Sequence, residues 1–134
     1  MSYEMTILAL ITLFYLFSWL PGWLAKYHVY GSRWLASNRD AEDLQALPVM
    51  AQRAIRAHAD LKEQYPPFAV AILLLAFSGG FTRYTAMAAV IFLFSRLVYM
   101  PAYIFGIPWL RSSAWVSGFI AELYLLAMVL VVLV

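Results

Sequence analysis

The feature that most constrains this chain is its series of long apolar segments. Residues 5–25, 84–105 and 113–134 are each mostly apolar and about 20 residues long, which lets a helix cross a hydrocarbon core about 30 Å thick. A fourth segment, residues 48–78, is apolar only in its second half. These segments predict an all-α integral membrane protein, with residues 1–134 forming a single four-helix bundle domain.

The composition excludes several other classes of protein. The chain is 65% hydrophobic, far above the level of a soluble domain. Its formal net charge is only +2 and its basic residues form no run, so we expect no nucleic-acid partner. It has no cysteine for a disulfide or a thiolate-ligated metal. His58 has no second His at ligand spacing, and we therefore expect no metal site.

A stripe of charged residues lies directly before the apolar half of the second segment. Arg53, Arg56, Asp60 and Glu63 follow one another at spacings of three or four, so a helix places them on one face. Charged side chains at membrane depth usually face a bundle interior or a wet cavity. We interpret the stripe as one wall of a polar binding site. The alternative is a set of ion pairs that only holds the helices together.

A second polar stripe lies in the third segment, where Arg96, Tyr99 and Tyr103 again recur at helical spacing. A buried arginine needs a carboxylate partner, and we predict that Arg96 pairs with Glu122 or Glu63. Packing or a place at the membrane interface is the alternative interpretation of both tyrosines.

The distribution of basic residues predicts the orientation. Most lie in residues 26–50, expected to form a loop, or in residues 106–112, expected to form a tight connection. The positive-inside rule then places both termini on the outer side and the charged stripe at the cytoplasmic end. The short loops, the absence of a signal peptide and the lack of cysteine favour a bacterial inner membrane.

Three motifs resemble the MAPEG family, the membrane-associated proteins in eicosanoid and glutathione metabolism. Residues 56–58 (Arg-Ala-His), followed by Glu63 and by residues 67–68 (Pro-Phe), resemble the signature of that family's second helix. The spacing of the polar residues in segment 96–103 resembles the Arg-x-x-(His/Tyr)-x-x-x-Tyr pattern of its third helix. Residues 111–112 (Arg-Ser) resemble the Arg or Arg-Ser that follows.

The resemblance implies a homotrimer of four-helix bundles. Glutathione would bind between subunits near the cytoplasmic face, and a lipophilic electrophile would approach from the bilayer. Arg111 would activate the thiol, and Ser112 stands where the prostaglandin synthase branch has a residue proposed for the same task. Together with Arg53 of the stripe, the residues expected to line the glutathione site are Arg56, Asp60, Glu63, Arg96, Tyr99 and Tyr103.

The function expected from this resemblance is a glutathione-dependent transferase or peroxidase. Two positions depart from the family pattern. Asp60 stands where the family commonly has Asn, and Ala59 stands where several members have a basic residue. These departures favour the first alternative, a non-catalytic membrane protein that binds a lipid or another ligand. The second alternative is a small transporter or an accessory subunit of a larger membrane complex, built on the same intramembrane charges.

Overall fold

The computed structural model describes residues 3–31 and 48–134, and every regular element in these two ranges is a helix. The all-α prediction is confirmed for this part of the chain. The predicted loop lies largely at residues 32–47, outside the described residues. In chain order the helices are α1 (Tyr3–Phe17), α2 (Leu20–Tyr30), α3 (Val49–Ser78), α4 (Arg83–Phe105) and α5 (Pro108–Leu133).

The first apolar segment forms two helices separated by a short break at Ser18 and Trp19. Pro21 lies in the first turn of α2, where a proline is tolerated because the backbone donors of that turn have no partner within the helix. Helix α2 therefore extends to Tyr30, whereas the sequence predicted that the first segment would end at residue 25.

Three segments of the described chain are long and apolar enough to span a membrane: Tyr3–Val29, Arg83–Phe105 and Pro108–Leu133. Helix α3 is longer, at 30 residues, but it is not among these segments because several charged residues lie in its first half. It runs through both Pro66 and Pro67. The three apolar segments make this chain an integral membrane protein.

The ends of α3 and α4 have clear local causes. Gly79 and Gly106 follow the last turns with φ of 68° and 73°, a left-handed conformation that costs glycine little. Thr82 caps the start of α4 in a reciprocal capping box. Helix α5 begins at Pro108, so the connection expected over residues 106–112 is much shorter than predicted. Arg111 and Ser112 consequently lie in the first turns of a helix.

The apolar core is formed by α1, α3, α4 and α5. At its centre the rings of Phe68 and Phe92 stack in parallel, with centroids 4.1 Å apart and planes 7° apart. Both side chains are fully buried. The surrounding buried residues are Ile7, Leu8, Ile11, Ala71, Ile72, Leu75, Ala88, Ala89, Leu93, Ala121, Leu125 and Val129.

Helices α4 and α5 approach closely because small residues lie between them, as is common in membrane proteins. At Gly118, an added Cβ would lie 2.4 Å from Ser95 Oγ and 2.9 Å from Arg96 Nη2. Only glycine fits there without moving these side chains. This close approach holds the guanidinium of Arg96 in the space between α3, α4 and α5.

Candidate functional site

The buried centre of the candidate site is the ion pair between Arg96 and Asp60. Arg96 is 1% exposed, and its Nη1 donates to Asp60 Oδ2 at 3.1 Å. The prediction that Arg96 pairs with Glu122 or Glu63 was wrong, because α3 directs Asp60 inward and leaves Glu63 exposed. Glu122 is buried on α5 and influences Arg96 electrostatically, but it lies beyond ion-pair distance.

Arg96 and Glu122 have buried polar atoms that form no hydrogen bond with the described residues. Arg96 Nε, Arg96 Nη2 and Glu122 Oε2 are buried without a partner among the residues that the structure describes. Asp60, by contrast, accepts the hydrogen bond from Arg96 Nη1 through its Oδ2. The extra negative charge of Asp60 is therefore balanced inside the chain by Arg96, while Arg96 retains unused donors.

A row of guanidiniums and aromatic rings leads from this pair toward the end of the molecule where α4 meets α5. The guanidinium carbon of Arg96 lies 5.6 Å from the ring centroid of Tyr99. Tyr99 in turn lies 5.6 Å from Tyr103, edge to face at 71°. The Arg111 guanidinium lies 5.1 Å from the Tyr103 ring. Guanidiniums bind aromatic faces favourably, so the row positions Arg111.

A cavity of about 170 Å³ lies at the outer end of this row. Arg53 reaches it from α3, packed so closely on Gly106 that a Cβ there would lie 2.5 Å from Arg53 Nη1. Glycine at the end of α4 therefore makes room for a guanidinium from another helix. The residues that line the cavity are Arg53, Ala102, Tyr103, Gly106, Ile107, Pro108 and Arg111.

The structure places the predicted site residues in three groups. Arg53, Tyr103 and Arg111 share the cavity, and the half-buried Asp60 with the buried Arg96 and Tyr99 forms the second group. The remaining three residues are exposed at the surface of the single chain and do not line the cavity: Arg56, Glu63 and Ser112.

Three side-chain contacts between distant parts of the described chain were not anticipated from the sequence, and one of them joins the hydroxyls of Thr12 and Tyr65. Ser18, 3% exposed, lies 2.7 Å from His58 Nδ1, and its hydroxyl also donates to the backbone carbonyl of Tyr15. At the other end of the molecule, Thr85 Oγ1 donates to Glu4 Oε2 at 2.8 Å. The available signals were a lone polar residue inside the first apolar segment and a lone glutamate directly before it, because each partner lies in a distant part of the sequence.

The chemistry of the cavity favours an anionic ligand. Two guanidiniums and a phenol meet there, and a guanidinium presents a planar fork of donors that matches a carboxylate. The same positive charge stabilises a thiolate relative to a thiol. The cavity can therefore bind a carboxylate and hold an ionised sulfur.

A comparison with protein-family models matches residues 4–131 to a family described as the MAPEG family. The match covers nearly the whole chain of 134 residues. Searches of curated proteins and of solved structures return no match.

Proposed function

Because this chain belongs to the MAPEG family, we propose that it is a glutathione-dependent transferase or peroxidase of the membrane, acting on a lipophilic electrophile. Membership supports, in general, a membrane protein of the glutathione and eicosanoid metabolism type. We propose that each subunit is a four-helix bundle and that three subunits form a homotrimer.

The observation that carries the proposal is the meeting of Arg53, Tyr103 and Arg111 at one cavity. Glutathione has two carboxylates, one ammonium and one thiol. A free thiol ionises near pH 8.5, so little of it is reactive thiolate at neutral pH. In this proposal the positive charge of Arg111 raises the thiolate fraction. Ser112, which is exposed and does not line the cavity of its own chain, supplies its hydroxyl donor at the interface with a neighbouring subunit. Arg53 binds a carboxylate of glutathione.

The exposed part of the charged stripe supports a site shared between subunits. Arg56 and Glu63 are exposed on their own chain, and Arg96 retains two buried donors without partners in the part of the chain that the structure describes. In the proposed trimer, Arg56 binds a second carboxylate of glutathione and Glu63 binds its ammonium group. Asp60 then acts indirectly, because it positions Arg96 and, through it, Tyr99.

The second substrate enters from the lipid. The outer surfaces of α1, α4 and α5 are mostly apolar, so a lipophilic molecule dissolved in the bilayer reaches the protein without crossing water. With an electrophile that carries a leaving group, the thiolate sulfur bonds to the electrophilic carbon and the leaving group departs with its electron pair. With a hydroperoxide, the sulfur takes one oxygen to become a sulfenic acid, the O–O bond breaks and an alcohol is released. A second glutathione then reduces the sulfenic acid, which gives glutathione disulfide and water. We propose a bacterial inner membrane, with both termini outside and the Arg111 cavity at the cytoplasmic end.

Calorimetry with purified protein in nanodiscs tests this function. We expect saturable glutathione binding that weakens by about one to two orders of magnitude in Arg53→Ala, since each charge-assisted hydrogen bond contributes about 1.5–3 kcal/mol. Arg111→Ala should retain most of the binding but lose the ultraviolet absorbance of bound thiolate. Arg83→Ala, which removes a cation at the opposite end of α4, is the matched control. No binding at millimolar glutathione would contradict the proposal.

The alternative is a membrane protein that binds glutathione or a lipid without catalysis. The observation in its favour is the ion pair between Asp60 and Arg96. Because one donor of Arg96 already binds the Asp60 carboxylate, Arg96 binds a ligand carboxylate less readily than it would beside a neutral asparagine. Conjugation of glutathione to a chromogenic aryl halide separates the two functions. Turnover above the uncatalysed rate that falls in Arg111→Ala supports the enzyme, whereas binding without turnover supports the alternative. Stable copurification with other membrane proteins would instead indicate an accessory subunit.

A further inference from the structure

A narrow apolar groove runs between α4 and α5 on the outer surface, away from the Arg111 cavity. It encloses about 280 Å³. On α4 its wall consists of a stripe at helical spacing that includes Tyr84, Met87 and Ile91, all well exposed. The residues that line the groove are Tyr84, Met87, Ala88, Ile91, Ser117, Ile120, Ala121 and Tyr124.

The floor and walls of the groove present hydrocarbon to the membrane. Ala88 and Ala121 form its floor, where their small size leaves the depression between the two helices. The hydroxyl of Ser117 donates to the backbone carbonyl of Ser113, so it offers no free donor to a ligand. From Tyr84 to Ile91 the groove extends about 10 Å along α4, which matches roughly the first half of an acyl chain.

A cation stands at the mouth of the groove. Arg83 is the first residue of α4 and of the membrane-spanning segment, which places it at the depth of lipid headgroups. It precedes Met87 by one helical turn, so it lies above the same stripe. Its side chain is exposed, and it forms no ion pair with any carboxylate of the described residues.

We propose that this groove binds one phospholipid with a net negative headgroup. The phosphate contacts Arg83, and an acyl chain lies in the groove against Met87 and Ile91. The site is independent of the proposed glutathione chemistry, because α4 separates Arg83 from the Arg111 cavity by about 30 Å. Binding links α4 to α5 from the lipid side, which adds to the close packing around Gly118.

Native mass spectrometry of delipidated protein tests the proposal with dioleoylphosphatidylglycerol and dioleoylphosphatidylcholine, two lipids that share their acyl chains. A single basic residue at a membrane surface attracts an anionic lipid enough to predict about fivefold tighter binding of phosphatidylglycerol. Arg83→Gln should reduce the preference to near one. Lys62→Gln removes an exposed cation elsewhere and should leave it unchanged.

A second variant tests the groove itself. Ser117→Phe fills it from an exposed position and should weaken both lipids without changing the helical circular dichroism. Equal binding of the two lipids by the wild type, a preference that persists in Arg83→Gln, or unchanged binding by Ser117→Phe would each overturn the proposal. So would a disulfide between two chains carrying Met87→Cys in a bilayer, because a second copy would then cover the groove. The natural chain has no cysteine, so any such disulfide is unambiguous.

Discussion

Around Phe68 and Phe92, the helices bury ring against ring and leave neither side chain exposed. Around Arg96, helices of the same chain bury a guanidinium with one ion-pair partner, and two of its nitrogen atoms have no partner in residues 3–31 and 48–134. We call these regions the apolar half and the charged half. Phe92 is their boundary, since it stacks on Phe68 and also lies 5.2 Å from the Arg96 guanidinium. The apolar half is complete within one chain, whereas the charged half retains bonding capacity for a ligand or a neighbouring subunit.

This difference predicts that the two halves respond differently to substitution. Changes in the apolar half should lower stability and leave ligand binding intact. Changes in the charged half should alter both, because there the groups that hold the helices together also position the site.

The largest effect is expected from Asp60→Ala. It leaves the Arg96 charge buried without its carboxylate, and breaking a buried ion pair in this way costs about 3–5 kcal/mol. The free energy of unfolding in mixed micelles measures the loss. Asp60→Ala combined with Arg96→Met should be more stable than Asp60→Ala alone, since the unpaired charge is gone. If the single substitution costs less than about 1 kcal/mol, Arg96 has another partner and the proposed arrangement is wrong.

The next largest effect is expected from Phe68→Ala, which removes one ring of the central stack. A loss of about 3 kcal/mol in the free energy of unfolding follows from the lost packing and the cavity left behind. Glutathione at a hundred times its dissociation constant should still stabilise this variant by about 2.7 kcal/mol, the same increment as expected for the wild type under the proposed function. Loss of that ligand effect in Phe68→Ala would show that the two halves are not separable.

A smaller effect is expected from Gly118→Ala, since the new methyl group would lie 2.4 Å from Ser95 Oγ and 2.9 Å from Arg96 Nη2. Strain of this kind costs about 1–3 kcal/mol. Ser95→Ala should restore part of the stability, because it removes the nearer atom. Glutathione binding should weaken in Gly118→Ala even after this rescue, since Arg96 remains displaced. Calorimetry at matched protein stability distinguishes the two effects, and unchanged affinity would count against a role for Arg96 in positioning the site.

The smallest effect is expected from Glu4→Gln. The amide oxygen can still accept from the Thr85 hydroxyl, so thermal unfolding should shift by less than the equivalent of about 1 kcal/mol. Glu4→Leu cannot accept this hydrogen bond and serves as the comparison. Equal stability of the two variants would mean that the contact adds nothing to the fold.

Hydropathy and spacing were sufficient to predict the helical class and the three apolar segments long enough to span a membrane. The set of residues assigned to the site stays a prediction. Hydropathy and spacing were not sufficient to predict which carboxylate meets Arg96. Asp60 and Glu63 lie three residues apart, only about 60° apart around the helix, and the choice depends on how α3 is rotated in the bundle. The contact of Arg53 with Gly106 was also out of reach, because it depends on a left-handed glycine that brings the end of α4 against α3. Both contacts depend on how the helices pack against one another, and the local spacing of residues in the sequence does not determine that packing.

The hydrogen bond between Glu4 and Thr85 has a consequence for the order in which this protein is made. The two residues are 81 positions apart, so the first helix enters the membrane well before its partner has been synthesised. At about 5–20 residues per second, that interval is roughly 4 to 16 seconds. During it, the carboxyl group of Glu4 must remain near water at the membrane surface. Once Thr85 has been synthesised, its hydroxyl can donate to the carboxyl group of Glu4, which can then be buried. The first helix therefore reaches its final packing late in biogenesis.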